Sequence, residues 1–326
     1  MTAMLDVRHL NVEFPLARGV AKAVNDVSFT LRPGERLGLV GESGSGKTTT
    51  VLALMRLLAS PGRITGGRVL LGREDLAAAD EEAIRRARFS RISLVPQGAM
   101  NSLNPVMRIG QQFHDLLRAH DAWKGAADAR RLVEDLLGRV ELDPGVADLY
   151  PHQLSGGMKQ RVCIAMAIAL SPAVIIADEP TSALDVVVQK QVLRTLILAQ
   201  KQLQAGVILV GHDMALMSQF AHTIGVMYAG RLVEYGPARQ VLQHPRHPYT
   251  RMLMASLPSF SARGQFKGIP GVAPSLLDPP PGCPFHVRCP AVMPICSVTS
   301  PNERVPDPGH RVSCHLVPEA QDALPA

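Results

Sequence analysis

Residues 41–48 read Gly-Glu-Ser-Gly-Ser-Gly-Lys-Thr, preceded by the apolar run Arg36–Val40 and followed by a helical pattern over Lys47–Ala59. A strand that ends in a glycine-rich turn and feeds a helix is an anion cradle. Its glycines let successive backbone N–H groups face phosphate oxygens, and the helix adds its positive N-terminus. In such a loop Lys47 reaches the β- and γ-phosphates and Thr48 ligates Mg²⁺. A second glycine-rich segment, Leu-Ser-Gly-Gly-Met-Lys-Gln-Arg at 154–161, also opens a helix. One chain rarely needs two such segments for one nucleotide. Two chains arranged head to tail would use both, each supplying half of every site.

A third element fits the same chemistry. Val174-Ile-Ile-Ala-Asp-Glu179 is an apolar strand ending in two acids. At the carboxyl end of a strand beside a phosphate loop, Asp178 is placed to hold Mg²⁺ through water. Glu179 would then stand near the γ-phosphate as general base.

Short β-branched runs alternate with longer helical stretches over residues 1–255, the pattern of an α/β domain. Ile92–Val95, Val174–Ala177 and Val207–Val210 read as central parallel strands buried on both faces. Thr223–Tyr228 and Arg231–Tyr235 flank Ala229-Gly230 as a hairpin. Leu132, Val133, Leu136, Leu137 and Val140 fall at helical spacing within Ala126–Val140, inside a helical insertion at about 98–160. From residue 256 proline and glycine crowd in, which predicts a linker into a small irregular module (256–326) with a loose tail after Val317.

Composition narrows the class. The 326 residues carry a net charge of +6, are 46% hydrophobic and 19% charged, and suit a globular core. The longest apolar stretch, Val162–Ala177, is broken by Ser171-Pro172 and is too short for a membrane span, which needs ~20 apolar residues. The N-terminus, MTAMLDVRHL, lacks the cationic and apolar stretches of a secretion signal, so a cytoplasmic setting is expected. Nucleic acid is not an expected partner, because no dense Lys/Arg run with interleaved aromatics occurs and aromatics are only 4% of the chain.

Together, the loop at 41–48, Gln97 after a strand, the 154–161 segment, Asp178-Glu179, Ser182-Ala-Leu-Asp185 and His212 resemble an ABC-transporter ATP-binding subunit over residues 4–255. The resemblance implies a P-loop NTPase (RecA-like) α/β core with an antiparallel β subdomain and the helical insertion. It implies that ATP is held by Gly41, Ser43, Gly44, Ser45, Gly46, Lys47, Thr48 and Thr49, with Mg²⁺ at Thr48, Gln97 and Asp178. Ser155, Gly156 and Gly157 would serve the ATP of a partner subunit, and Asp185 would organise the dimer interface. Glu179, His212, Gln97 and Lys47 would carry catalysis. An aromatic stacks on adenine in this family, and Phe14 is the candidate here. A non-transport ABC ATPase, as in DNA repair or chromosome structure, is the alternative. Those proteins insert long coiled coils before the signature, for which residues 98–153 are too short.

Asn101-Ser-Leu-Asn-Pro105, Tyr150-Pro-His-Gln-Leu154, His247-Pro-Tyr-Thr250 and the segment 281–290 are similar to the oligopeptide/dipeptide importer subfamily. This extends the resemblance to about residue 316. It implies two transmembrane permease subunits, a second ATP-binding subunit that is related rather than identical, an external solute-binding protein, and a peripheral place on the cytoplasmic face of the inner membrane. Peptides lead as solute, with nickel chelates, glutathione or oligosaccharides as runners-up. Four of five cysteines, Cys283, Cys289, Cys296 and Cys314, cluster late in the chain, while Cys163 sits in an apolar helix. A four-thiolate set suits Zn²⁺ or an iron–sulfur cluster, or the thiols stay unmetallated. The spacing lacks the CxxC pairs of common zinc sites, and His286, His310 or His315 lie near enough in sequence to replace a cysteine. Subfamily members carry a 4Fe–4S cluster on a similar set.

Overall fold

A computed structural model describes residues 3–98, 101–182, 184–256 and 268–318. Parts of the expected linker (257–267) and tail (319–326), and Ala183 of the Ser182–Asp185 motif, lie outside the described residues. In chain order the first elements are β1 (Leu5–Leu16), β2 (Gly19–Leu31), β3 (Arg36–Val40), α1 (Lys47–Leu54), β4 (Arg63–Leu71) and β5 (Glu74–Asp75). Next come α2 (Glu81–Ala87), β6 (Ile92–Val95), α3 (Ile109–Ala119), α4 (Ala126–Arg139), α5 (Gly156–Ile168), β7 (Val174–Asp178) and α6 (Val186–Leu203). The last are β8 (Gly206–Gly211), α7 (Met214–Phe220), β9 (Thr223–Tyr228), β10 (Arg231–Pro237), α8 (Ala238–Gln243), α9 (Pro248–Ala255), β11 (Glu303–Asp307) and β12 (His310–Ser313).

These elements gather into two compact units. One holds the start of the chain, Leu31–Glu35 and Ala79–Leu209; the other holds Asp6–Thr30, Arg36–Ala78 and the chain from Val210 on. In the first unit β6 and β7 pair in parallel, Ile92 opposite Val174 and Val95 opposite Ala177, and every residue of β7 is buried. A strand covered on both faces has no polar side to alternate, so its sequence is a continuous apolar run. Helices α3 and α4 lie in the stretch that the sequence reads as a helical insertion. Ala129, Val133, Leu136 and Leu137 of α4 are buried at helical spacing, and Ile109, Phe113, Leu116 and Leu117 do the same on α3.

In the second unit β2-β1-β4-β5 form one sheet, with β4 and β5 antiparallel. A separate run of strands, β11-β12-β10-β9-β3, is mixed: β3 pairs in parallel with β9, and the remaining pairs are antiparallel. The expected hairpin at Ala229-Gly230 is present, with both residues in the left-handed region that a two-residue turn requires. The cysteine segment belongs to this unit, and its hairpin β11–β12 extends the run through β10.

Helix α1 ends at Leu54, five residues before the sequence pattern suggests. Arg56 turns left-handed at φ 50°, and the Leu57 amide bonds back to the Leu52 carbonyl, closing the helix. Among the described residues no helix is long and apolar enough to cross a membrane.

Candidate functional site

The phosphate loop is built by β3 and α1. Gly46 stands at φ 98° immediately before the helix, and a Cβ there would lie 2.3 Å from the Ala23 carbonyl, so only glycine fits. Lys47 opens α1 and is buried, 5% exposed. Its Nζ donates to the carbonyls of Gly41 and Glu42, each at 2.9 Å. The ammonium is thus folded back over the loop. Ser45 is buried beside it, Ser43 and Gly44 are exposed, and Thr48 and Thr49 sit half-buried in the first turn of α1.

In the first unit, the structure brings two expected catalytic residues together. Gln97, two residues beyond β6, donates from Nε2 to Glu179 Oε2 at 3.2 Å. Parallel pairing of β6 with β7 accounts for the meeting, since both strands end at the same level. Glu179 sits at φ 44°, a left-handed conformation that a non-glycine residue adopts only under constraint from its surroundings. Asp178 closes β7 and is 2% exposed.

The 154–161 segment opens α5. Ser155 is its N-cap, and its Oγ accepts from the Met158 amide at 3.3 Å. That bond uses the oxygen as acceptor and leaves the hydroxyl hydrogen to donate elsewhere. A Cβ on Gly157 would lie 2.5 Å from Val188 Cγ1 of α6, so the glycine permits close packing of two helices. Asp185 caps α6, accepting from the amides of Val187 and Val188 at 3.0 Å. His212 follows β8 in the second unit and is exposed; the next residue, Asp213, caps α7. Phe14 is half-buried in β1, with its ring over Gly62. Cys163 is a core residue, its thiol pushed up to about 12 by burial.

The four late cysteines line one small cavity, with His247, Phe285, His286, His315 and Leu316 also on its wall. The Cys283 amide donates to the Cys296 carbonyl, holding the first of the four cysteines against the third. All four thiols are free. Burial pushes Cys283 up to about 11 and raises Cys289 and Cys314 as well, with neighbouring thiols adding to each rise. His247 Nε2 is buried with no hydrogen-bond partner among the described residues, and burial pushes that ring down to about 4. Among the described residues no three His, Cys, Asp or Glu side chains are grouped to hold a single metal ion. His310 is not among the residues on the cavity wall: it is fully buried and its Nε2 lies 2.7 Å from Glu234 Oε1.

Two residues to which the sequence assigned no role, Tyr249 and Arg288, bond to Glu42 of the phosphate loop, itself given no role. Tyr249 and Arg288 lie in the two late motifs, His247–Thr250 and 281–290, which was the one available signal.

Comparison with known proteins identifies the family. The ABC transporter family matches residues 24–182, and the family described as the oligopeptide/dipeptide transporter C-terminal region matches residues 233–296. The oligopeptide transport ATP-binding protein OppD of Escherichia coli is 43% identical over 315 residues, 96% of this chain and 93% of that protein. The dipeptide transport ATP-binding protein DppD of Bacillus subtilis is 40% identical over 320 residues, 97% and 95% of the two chains. Among solved structures, the ATP-binding cassette MJ0796, captured as a dimer with ADP and phosphate, superposes with a TM-score of 0.63 at 26% identity. That match covers 72% of this chain and 99% of the other. With identity of this order sustained along almost its whole length, the chain belongs to the ABC transporter family of ATP-binding proteins, in its oligopeptide/dipeptide branch.

Proposed function

We propose that this chain is the ATP-hydrolysing subunit that powers import of di- or oligopeptides through a membrane ABC transporter. The observation that carries the reading is 43% identity to an oligopeptide transport ATP-binding protein over 96% of the chain. Nickel chelates, glutathione and oligosaccharides remain as second choices of solute. Partners are two permease subunits, a related ATP-binding subunit and an external solute-binding protein, and the chain sits peripherally on the cytoplasmic face of the inner membrane.

The roles follow from the chemistry of each group. Loop amides of Gly41 and of Ser43 to Thr49 cradle the ATP phosphates, and the Lys47 ammonium exchanges its carbonyl partners for phosphate oxygens. Thr48, Asp178 and Gln97 serve Mg²⁺. Glu179 takes a proton from the attacking water, whose oxygen bonds to the γ-phosphorus as the bond to ADP breaks. Gln97 orients the Glu179 carboxylate through their hydrogen bond. His212 holds the γ-phosphate, and Phe14 stacks on adenine. Ser155, Gly156 and Gly157 present a helix N-terminus and a free hydroxyl hydrogen to the partner's γ-phosphate. ATP, carrying that phosphate, therefore favours the closed dimer and ADP does not, and closure drives the membrane subunits.

The cysteine cavity takes a 4Fe–4S cluster on Cys283, Cys289, Cys296 and Cys314 in this reading. Support comes from the chemistry of the lining: four soft thiols, none in a disulfide, around one cavity. When bound, the cluster supplies a cross-link that ties the segment's ends.

Phosphate release by the purified transporter tests the function. Wild type should hydrolyse ATP, and Lys47→Ala should lose nucleotide binding. Equal ATPase rates for the two would remove the basis of the proposal.

A further inference from the structure

The second residue of the phosphate loop is held from outside the loop. The Glu42 carboxylate accepts from Arg288 Nη1 at 2.6 Å and Nη2 at 2.9 Å. The Glu42 amide donates to Tyr249 Oη at 2.8 Å, and its carbonyl accepts from Lys47 Nζ at 2.9 Å. Every polar group of this residue is therefore engaged, and one of its partners is the lysine that meets phosphate.

Arg288 is fixed in turn. Its side chain is 3% exposed. Its Nε donates to the Pro270 carbonyl at 2.9 Å, Nη2 to the Ile269 carbonyl at 3.2 Å, and Nη1 to Tyr228 Oη at 3.2 Å. Hydrogen bonding to Glu42 holds the guanidinium well above its ordinary range, against the opposing effect of burial. A planar fork that meets a carboxylate through two parallel bonds is a geometry only arginine provides.

The chemistry sets a problem that this pair answers. A carboxylate in an anion-binding loop repels the phosphates the loop must take; the Glu42 side chain is 30% exposed, so solvent screens part of that repulsion and leaves the rest. A buried arginine that neutralises it removes the repulsion without competing for phosphate. The same contact, with Tyr249, pins the backbone on which Lys47 rests. We propose that Arg288 is a positioning residue of the nucleotide site: it cancels the Glu42 charge and holds the phosphate loop in its binding shape. The cysteine segment is thereby part of the nucleotide site, since Arg288 directly precedes Cys289, and Phe285 packs on both Tyr228 and Tyr249.

The inference rests on the reading of residues 41–48 as an ATP site, and one titration separates the two. A fluorescent ATP analogue with Mg²⁺ is titrated into the intact transporter carrying wild type, Arg288→Met, Glu42→Gln, the double variant or Arg288→Lys, and kcat and KM are measured alongside. Arg288→Met should weaken binding and raise KM by about tenfold, a cost of ~1.4 kcal/mol, with a much smaller change in kcat. The double variant should recover most of the lost affinity, because no uncompensated carboxylate remains, and Arg288→Lys should recover part. A double variant as weak as Arg288→Met, or an Arg288→Met that binds like wild type, overturns the proposal. If Arg288→Met does not fold, Arg288→Lys must still bind more weakly than wild type, and equal affinity overturns it. Failure of wild type itself to bind, or unchanged binding in Lys47→Ala, counts against the ATP site instead.

Discussion

Gln97 Nε2 donates a hydrogen bond to Glu179 Oε2 across 3.2 Å, joining the ends of two parallel strands. The amide fixes the carboxylate's direction, and the left-handed backbone of Glu179 fixes its root. Glu179→Gln keeps the shape and removes the base. It should bind ATP, accumulate as a closed dimer and lose turnover by about 10²-fold or more. Single-turnover phosphate release with size-exclusion chromatography in Mg-ATP checks both halves of the prediction.

Gly157→Ala places a methyl 2.5 Å from Val188 Cγ1. Val188 is β-branched and held in a helix, so it yields little. The substitution should cost about 1–3 kcal/mol. Calorimetry should show a lower Tm for Gly157→Ala and recovery in the double variant with Val188→Ala.

Glu234 is buried against His310. Burial raises its pKa, but hydrogen bonds from His310 and from the amides of Arg246 and His247 outweigh that and hold the carboxyl below its ordinary range. A depressed folded pKa contributes stability that is full above the unfolded value of about 4.3 and is lost as pH falls through the lower, folded value. Glu234→Gln should be less stable near neutrality by about 1–3 kcal/mol and should show a flatter acid limb. Urea midpoints measured from pH 7 down to pH 3 give the comparison.

Much of the fold was legible because its signals are local. β3, the phosphate loop, β7 and the β9–β10 hairpin all lie where apolar runs and glycines place them. Helix α1 stops early because of Arg56, whose left-handed turn has no marker in residue type. The site was legible as a set of motifs, but not as contacts. Glu42 and Arg288 stand 246 residues apart in sequence, and neither carries a periodic pattern that points to the other. The spacing of the four cysteines did not tell whether they meet; the fold gathers them around one cavity while diverting His310 to Glu234.

Anaerobic purification tests the cysteine cavity. A brown protein with about four iron and four sulfide per chain is expected, and Cys283→Ser should lower both. A colourless preparation with one zinc per chain, or with neither metal, would sink the cluster.

The central claim is that this chain converts ATP hydrolysis into peptide import. The most direct measurement is uptake of a labelled tripeptide into vesicles that hold the reconstituted transporter and its solute-binding protein. Uptake should require ATP on the side bearing this subunit and should vanish with Glu179→Gln. ATP hydrolysis that proceeds normally while no di- or oligopeptide in a broad panel accumulates would contradict the account.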